Sequence, residues 1–149
     1  MALTTKVERT YVGVQDEISG VFTDSDSYFA GGILSFVGGK LKNAATAASQ
    51  AIAGVFTGIC DDGGRVDEKV IGASNTVRGV VKRGKVWLPN TGAAITDVGG
   101  FFVASNDDAM VDAPATVSLE YVAYIALDFK TGYLLFDLRS PVHITNPAE

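Results

Sequence analysis

Apolar residues recur along this chain with a period of two, in short runs separated by glycine and Asx turns. Ile33 to Val37 sits between two glycine pairs, and Gly38-Gly39 is a strong hairpin signal. Ala51 to Ile59 and Phe101 to Ser105 read as further strands. The clearest hairpin is SLEYVAYIALDF, then Lys130-Thr131-Gly132, then YLLFDL, with Gly132 suited to the αL position of a three-residue loop. In its first strand Tyr121, Ala123, Ile125 and Leu127 share one face, and Val122, Tyr124 and Ala126 the other. Both faces are apolar, which predicts a strand at the centre of a sheet or at a subunit contact. Asn43 to Gln50 has two readings: one or two helical turns by alanine propensity, or a polar loop.

Thr76 to Asn90, TVRGVVKRGKVWLPN, holds the only tryptophan and four of the twelve basic residues. Val77, Gly79 and Val81 share one parity, whereas Val86 and Leu88 take the other, so the apolar phase changes at Arg83-Gly84. A one-residue bulge or a tight turn there is expected to reset the register and bring Val86 and Leu88 to the core. Trp87 is read as core. Pro89 should end the strand, and Asn90-Thr91-Gly92 is turn chemistry.

The pattern gives about eight short strands and no amphipathic helix of usable length, hence an all-β fold, a small β-barrel or sandwich. Residues 1–20 are set apart as an N-terminal arm, 21–139 as the β-domain and 140–149 as a tail reaching over the surface or to another subunit. For Met1 to Gly20 an ordinary first strand of the domain is an equal reading.

With 149 residues, one domain can bury a core without disulfide or metal. Cys60 is the only cysteine and reads as a small buried hydrophobe. Seventeen carboxylates against twelve cations, net charge −5, argue against nucleic acid as partner, since phosphate binding needs many basic contacts. No signal-peptide pattern opens the chain and no apolar run approaches the ~18 residues of a membrane helix, so the expectation is a soluble product made inside the cell. A mean hydropathy of +0.23 without a membrane span suggests apolar surface left over for a partner.

Candidate chemistry is sparse. Catalysis by a Ser/His/Asp or Cys/His set would have to use His143, the one imidazole, which sits between Val142 and Ile144 in strand-like sequence. Asp24 and Asp26 have the start of a calcium loop but Ser35 where its glutamate belongs. Gly39-Lys40 lacks the remaining phosphate-loop positions. Asp107, Asp108 and Asp112 are expected to be solvated turn carboxylates. The sequence therefore predicts no catalytic residue, no metal and no cofactor, and places function in surfaces. Arg78 to Lys85 reads as a solvated or ion-pairing strand face, not a phosphate strip.

From Gly31 to Leu138 the order of pieces, GKLKNAATAA, AIAGVFTGICDDGG, VRGVVKRGKVWLPNTG, AAITDVGGFFVASND and a hairpin ending LLFDL, resembles the head decoration (cement) proteins of tailed bacteriophages. The segments before Gly20 and after Leu138 depart from that pattern. The resemblance implies a structural, non-enzymatic β-barrel on the outer face of the capsid of a virion assembled in a bacterial cytoplasm. Its partners would be the major capsid protein and further copies of itself, as a trimer or a dimer, with no direct nucleic acid and no membrane. In that setting the arm residues Lys6, Val7, Arg9, Tyr11 and Val12 are candidates for adding a strand to a neighbour, and Arg83 and Lys85 for pairing with the shell. Two other roles remain open: another virion subunit (tail tube or head completion), and a small-ligand or carbohydrate-binding β-barrel using Trp87 with Tyr121, Tyr124 and Tyr133 as a stacking platform.

Overall fold

The structure, a computed structural model, describes residues 2–45, 50–113 and 120–145. Much of the Ala-rich segment with two readings (46–49) and the proline at 147 lie outside the described residues. The chain runs through β1 (Thr10–Val21), β2 (Asp26–Phe29), β3 (Ile33–Val37), β4 (Lys40–Asn43), β5 (Ile52–Cys60), β6 (Gly63–Arg65) and β7 (Glu68–Ile71). It continues through β8 (Arg78–Pro89), a 3-10 turn (Ile95–Asp97), β9 (Phe101–Ala104), β10 (Met110–Asp112), β11 (Glu120–Ile125), β12 (Asp128–Lys130), β13 (Tyr133–Asp137) and β14 (Val142–Thr145). The expected count of about eight strands is too low, because short strands form in segments read as turns, loops or tail (β2, β6, β7, β10 and β14) and one long run divides between two sheets as β11 and β12.

Three antiparallel sheets form: an eight-stranded one along β12-β13-β8-β5-β3-β4, with β1 beside β8 and β6 beside β5; a four-stranded one, β10-β9-β11-β14; and the ribbon β2-β7. None closes into a barrel, so the fold is the sandwich-like member of the expected pair. The larger core lies between the eight- and four-stranded sheets, where Ile33, Val55, Val86, Leu88, Leu134 and Phe136 meet Phe102, Met110, Val122 and Tyr124. A second core lies on the opposite face of the large sheet, where Leu34, Phe56 and Val81 pack against Phe22, Tyr28 and Ile71 under the ribbon. Cys60 belongs to this second core.

Strand β8 connects the parts. Along one edge it pairs with β1; along the other, β5 takes Gly79 to Lys82 and β13 takes Lys85 to Pro89. The phase change foreseen at Arg83-Gly84 is present, but β8 itself is not bulged. Val81 pairs with Phe56 and faces the second core, whereas Val86 pairs with Phe136 and faces the first. A continuous strand thus buries one face in its first half and the other in its second. The irregularity lies in the partner: β1 places Gly13, Val14 and Gln15 opposite Gly84, between the pairs Val12–Lys85 and Asp16–Arg83. The Gln15 side chain folds over Gly84 and donates to the carbonyl of Lys85 at 3.1 Å.

The N-terminal segment is, from Thr10 on, a strand of the main sheet, the second of the two readings given to Met1 to Gly20. From Val142 the expected tail is likewise an edge strand, antiparallel to β11, with exposed His143 opposite Val122. Gly38-Gly39 turns β3 into β4 as expected, both glycines at positive φ. The long C-terminal hairpin is a shorter one, β12–β13. The chain leaves the four-stranded sheet at Ala126-Leu127 and joins the eight-stranded one, and only Thr131-Gly132 remain in the loop. Strand β11 is central in its sheet, with Val122 and Tyr124 toward the large core and Tyr121 and Ala123 on the other face, as its two apolar faces indicated.

Gly79, opposite Gly20, leaves room for the fully buried ring of Phe22, which a Cβ would strike. Gly79→Ala should cost about 1–3 kcal/mol in urea unfolding through overpacking, whereas Gly63→Ala, whose Cβ meets open space, should stay within about 0.5 kcal/mol. Equal losses at the two sites would contradict the packing described.

Candidate interaction surfaces

Residues 3 to 9 cross the end of the sandwich as a strap. The Leu3 amide donates to Asp107 Oδ1 at 2.9 Å, and the Val7 amide to the Ala30 carbonyl at 3.0 Å. The Arg9 guanidinium donates to the carbonyl of Gly31 at 2.8 Å and to Asp108 Oδ1 at 3.2 Å, with a longer contact of 3.4 Å to the Asp107 carbonyl. Gly31 is at φ +88°, and the Val7 carbonyl occupies the place of its missing Cβ. The Arg9 side chain is only 4% exposed. Burial pulls its pKa down while Asp108 opposes the shift, an arrangement that holds a charge inside by pairing it.

Asp107 is 3% exposed, which corrects the expectation that all three carboxylates of this region are solvated. Its carboxylate caps the strap and its carbonyl accepts the Ile33 amide at 2.8 Å, so the turn is welded to β3. Asp112 stands apart on β10, exposed. Among the described residues no group of three or more His, Cys, Asp or Glu is placed to hold a metal ion.

Beside the strap, β8 and β13 form a cleft of about 360 Å³ whose floor is Trp87, Pro89 and Tyr133. Trp87 is half-buried and belongs to neither core, contrary to its reading as a core residue, because its parity on β8 is opposite to that of Val86 and Leu88 and the ribbon does not reach this half of the sheet. The Lys130 ammonium lies 4.6 Å from the Trp87 ring centroid and 5.3 Å from that of Tyr133. Tyr121 and Tyr124 are buried in the other sheet, so only Trp87 and Tyr133 of the expected aromatic platform come together. Tyr124 instead accepts the Ile52 amide at 2.9 Å inside the core.

A third surface is apolar. Ile95 (66% exposed), Val98, Phe101 and Leu127 are all exposed around the point where the chain passes between sheets. Backbone bonds join these segments: Gly99 N–H to the Ala126 carbonyl, Ala126 N–H to the Gly100 carbonyl, and the Phe101–Ile125 pair. These exposed side chains are candidates for contact with a partner.

The residues proposed from sequence as an interface fall in different places. Lys6 is exposed and pairs with Asp67 at 3.4 Å. Val7 and Arg9 are held inside the strap, so Arg9 is committed within the chain. Tyr11 packs against the large core under the Lys82 ammonium, and burial raises its hydroxyl to about 12. Val12 is exposed beside Val14, which is 81% exposed at the β1 irregularity. Arg83 and Lys85 are half-buried on β8, opposite Asp16 and Asp137 respectively, and the buried Arg83 Nε has no hydrogen-bond partner among the described residues. Sequence reasoning did not locate the exposed group around Leu127; its signals were the mean hydropathy and the apolar Ile95, Val98 and Phe101 beside Gly99-Gly100.

Burial raises the Asp107 carboxyl above its ordinary value, against the Leu3 amide, which favours the charge. The folded chain therefore holds this proton more tightly than the unfolded chain. That stabilisation is complete below about pH 4, the unfolded value, and is lost as pH rises through the raised one. Asp107→Asn should remove the dependence, so that the variant gains on the wild type as pH rises above about 4 in urea titrations. Parallel stability curves would contradict this assignment.

Comparison with known proteins returned no matching family, no related curated protein and no similar solved structure.

Proposed function

We propose that this protein is a structural subunit that decorates the outer surface of a tailed-phage head and stabilises the expanded shell. Its partners in this reading are the major capsid protein and further copies of itself, a trimer being the arrangement the resemblance favours. The observation that carries the proposal is the exposed apolar group Ile95, Val98, Phe101 and Leu127, which one partner surface can cover. The strand-and-glycine pattern from Gly31 to Leu138 adds the choice of partner. Many copies engaging a repeating shell need little affinity per contact, because effective concentration multiplies weak interfaces.

The strap changes what an N-terminal truncation would report. Removing residues 1–14 deletes Arg9 and strips Lys85 to Trp87 of their partners on β1, so lost binding would reflect lost folding. Point changes in the apolar group avoid this. Leu127→Asp and Phe101→Asp should each lower co-sedimentation with expanded heads of the encoding phage at least about tenfold, a cost of ~1.4 kcal/mol, while leaving the thermal unfolding of the free protein nearly unchanged. Wild-type binding by both variants, or electron micrographs that place the protein in the tail, would overturn the proposal.

A further inference from the structure

The Trp87 cleft is not used by this reading, and its chemistry is specific. Trp87 pairs with Leu135 and Pro89 with Tyr133 across the β8–β13 ladder, so Trp87 and Tyr133 are diagonal neighbours on one face. The position of the Lys130 ammonium, within 5.3 Å of both ring centroids, shows that the two rings present their faces to one spot. Lys130 is itself exposed at the end of β12, so its side chain can leave. Glu8 of the strap and Thr10, the cross-strand partner of Trp87 on β1, border the cleft. A volume of about 360 Å³ is at the lower end of the small-ligand range.

We infer that this cleft binds a neutral saccharide. A sugar ring offers an apolar C–H face for an aromatic floor and a rim of hydroxyls that both donate and accept. The cleft supplies the counterparts: Trp87, Pro89 and Tyr133 beneath, the acceptor Glu8, the donor Lys130 and the two-way hydroxyl of Thr10 around them. An anionic ligand would face Glu8 and Asp108, and a cationic one would face Arg9 and Lys130. Charges of both signs at the rim therefore favour an uncharged polyhydroxylated ligand. The sugar takes the place of the lysine over Trp87, and the freed ammonium turns to a ring hydroxyl. This inference is independent of the shell reading and would hold for a protein with any other partner.

Trp87 is the only tryptophan, so intrinsic fluorescence reports from the floor of the site alone. The full chain is titrated with cellobiose, maltose, lactose and N,N′-diacetylchitobiose, and with glucuronate as the charged probe. At least one neutral disaccharide should shift Trp87 emission saturably with Kd of about 1 mM or below. Tyr133→Ser and Lys130→Met, both at exposed positions, should each weaken that response at least about fivefold, with circular dichroism confirming the retained fold. No saturable response to any neutral sugar, an undiminished response in Tyr133→Ser, or a response to glucuronate alone would overturn the inference.

Discussion

Everything in this fold hangs on one strand being buried on opposite faces in its two halves. In β8, Val81 points to the core under the ribbon, and Val86 and Leu88 point to the core between the large sheets. Each fully buried Val or Leu side chain contributes about 1.5–3 kcal/mol. A one-residue slip of β8 would turn Val81, Val86 and Leu88 away from their cores at once. The same arrangement explains why β5 and β13 share one edge of β8: each serves a different half, and the two halves serve different layers. Where the ribbon ends, the outer face of β8 is left without a covering layer, and Trp87 becomes accessible there.

The strap is the second constraint, and it joins residues that are distant in the chain. Arg9 reaches Asp108, and Asp107 holds the Leu3 amide, so the first strand is anchored by a turn more than ninety residues away. Breaking one side of such a pair leaves an uncompensated buried charge, which makes the N-terminal segment integral to the domain.

Periodicity alone made much of this legible. The all-β class, the Gly38-Gly39 hairpin, the two apolar faces of β11 and the phase change in Thr76 to Asn90 all follow from which residues alternate. The cause of the phase change did not: a bulge and a change of buried face give the same local pattern, and only the layers on either side of β8 distinguish them. Nothing local announces that Arg9 pairs with Asp108, or that Asp107 is buried while Asp112 is exposed. The break at Ala126-Leu127 is also silent in sequence, since apolar alternation runs on through it while the chain changes sheets. For the candidate sites, Trp87 and Tyr133 were visible as aromatic residues, but their meeting depends on the β8–β13 register, and Tyr121 and Tyr124, equally visible, are taken by the core.

The two surfaces proposed for function, the apolar group around Leu127 and the aromatic cleft at Trp87, lie on faces that the layers leave uncovered. Both depend on β8 holding its place. Native-state hydrogen exchange, resolved by residue along β8, tests this most directly. The amides of Val81, Val86 and Leu88 should exchange only through global unfolding, with one common free energy equal to that from urea denaturation. Exchange of Val86 and Leu88 by a local opening well below that value, with Val81 still protected, would show that the halves are separate units and would contradict the account.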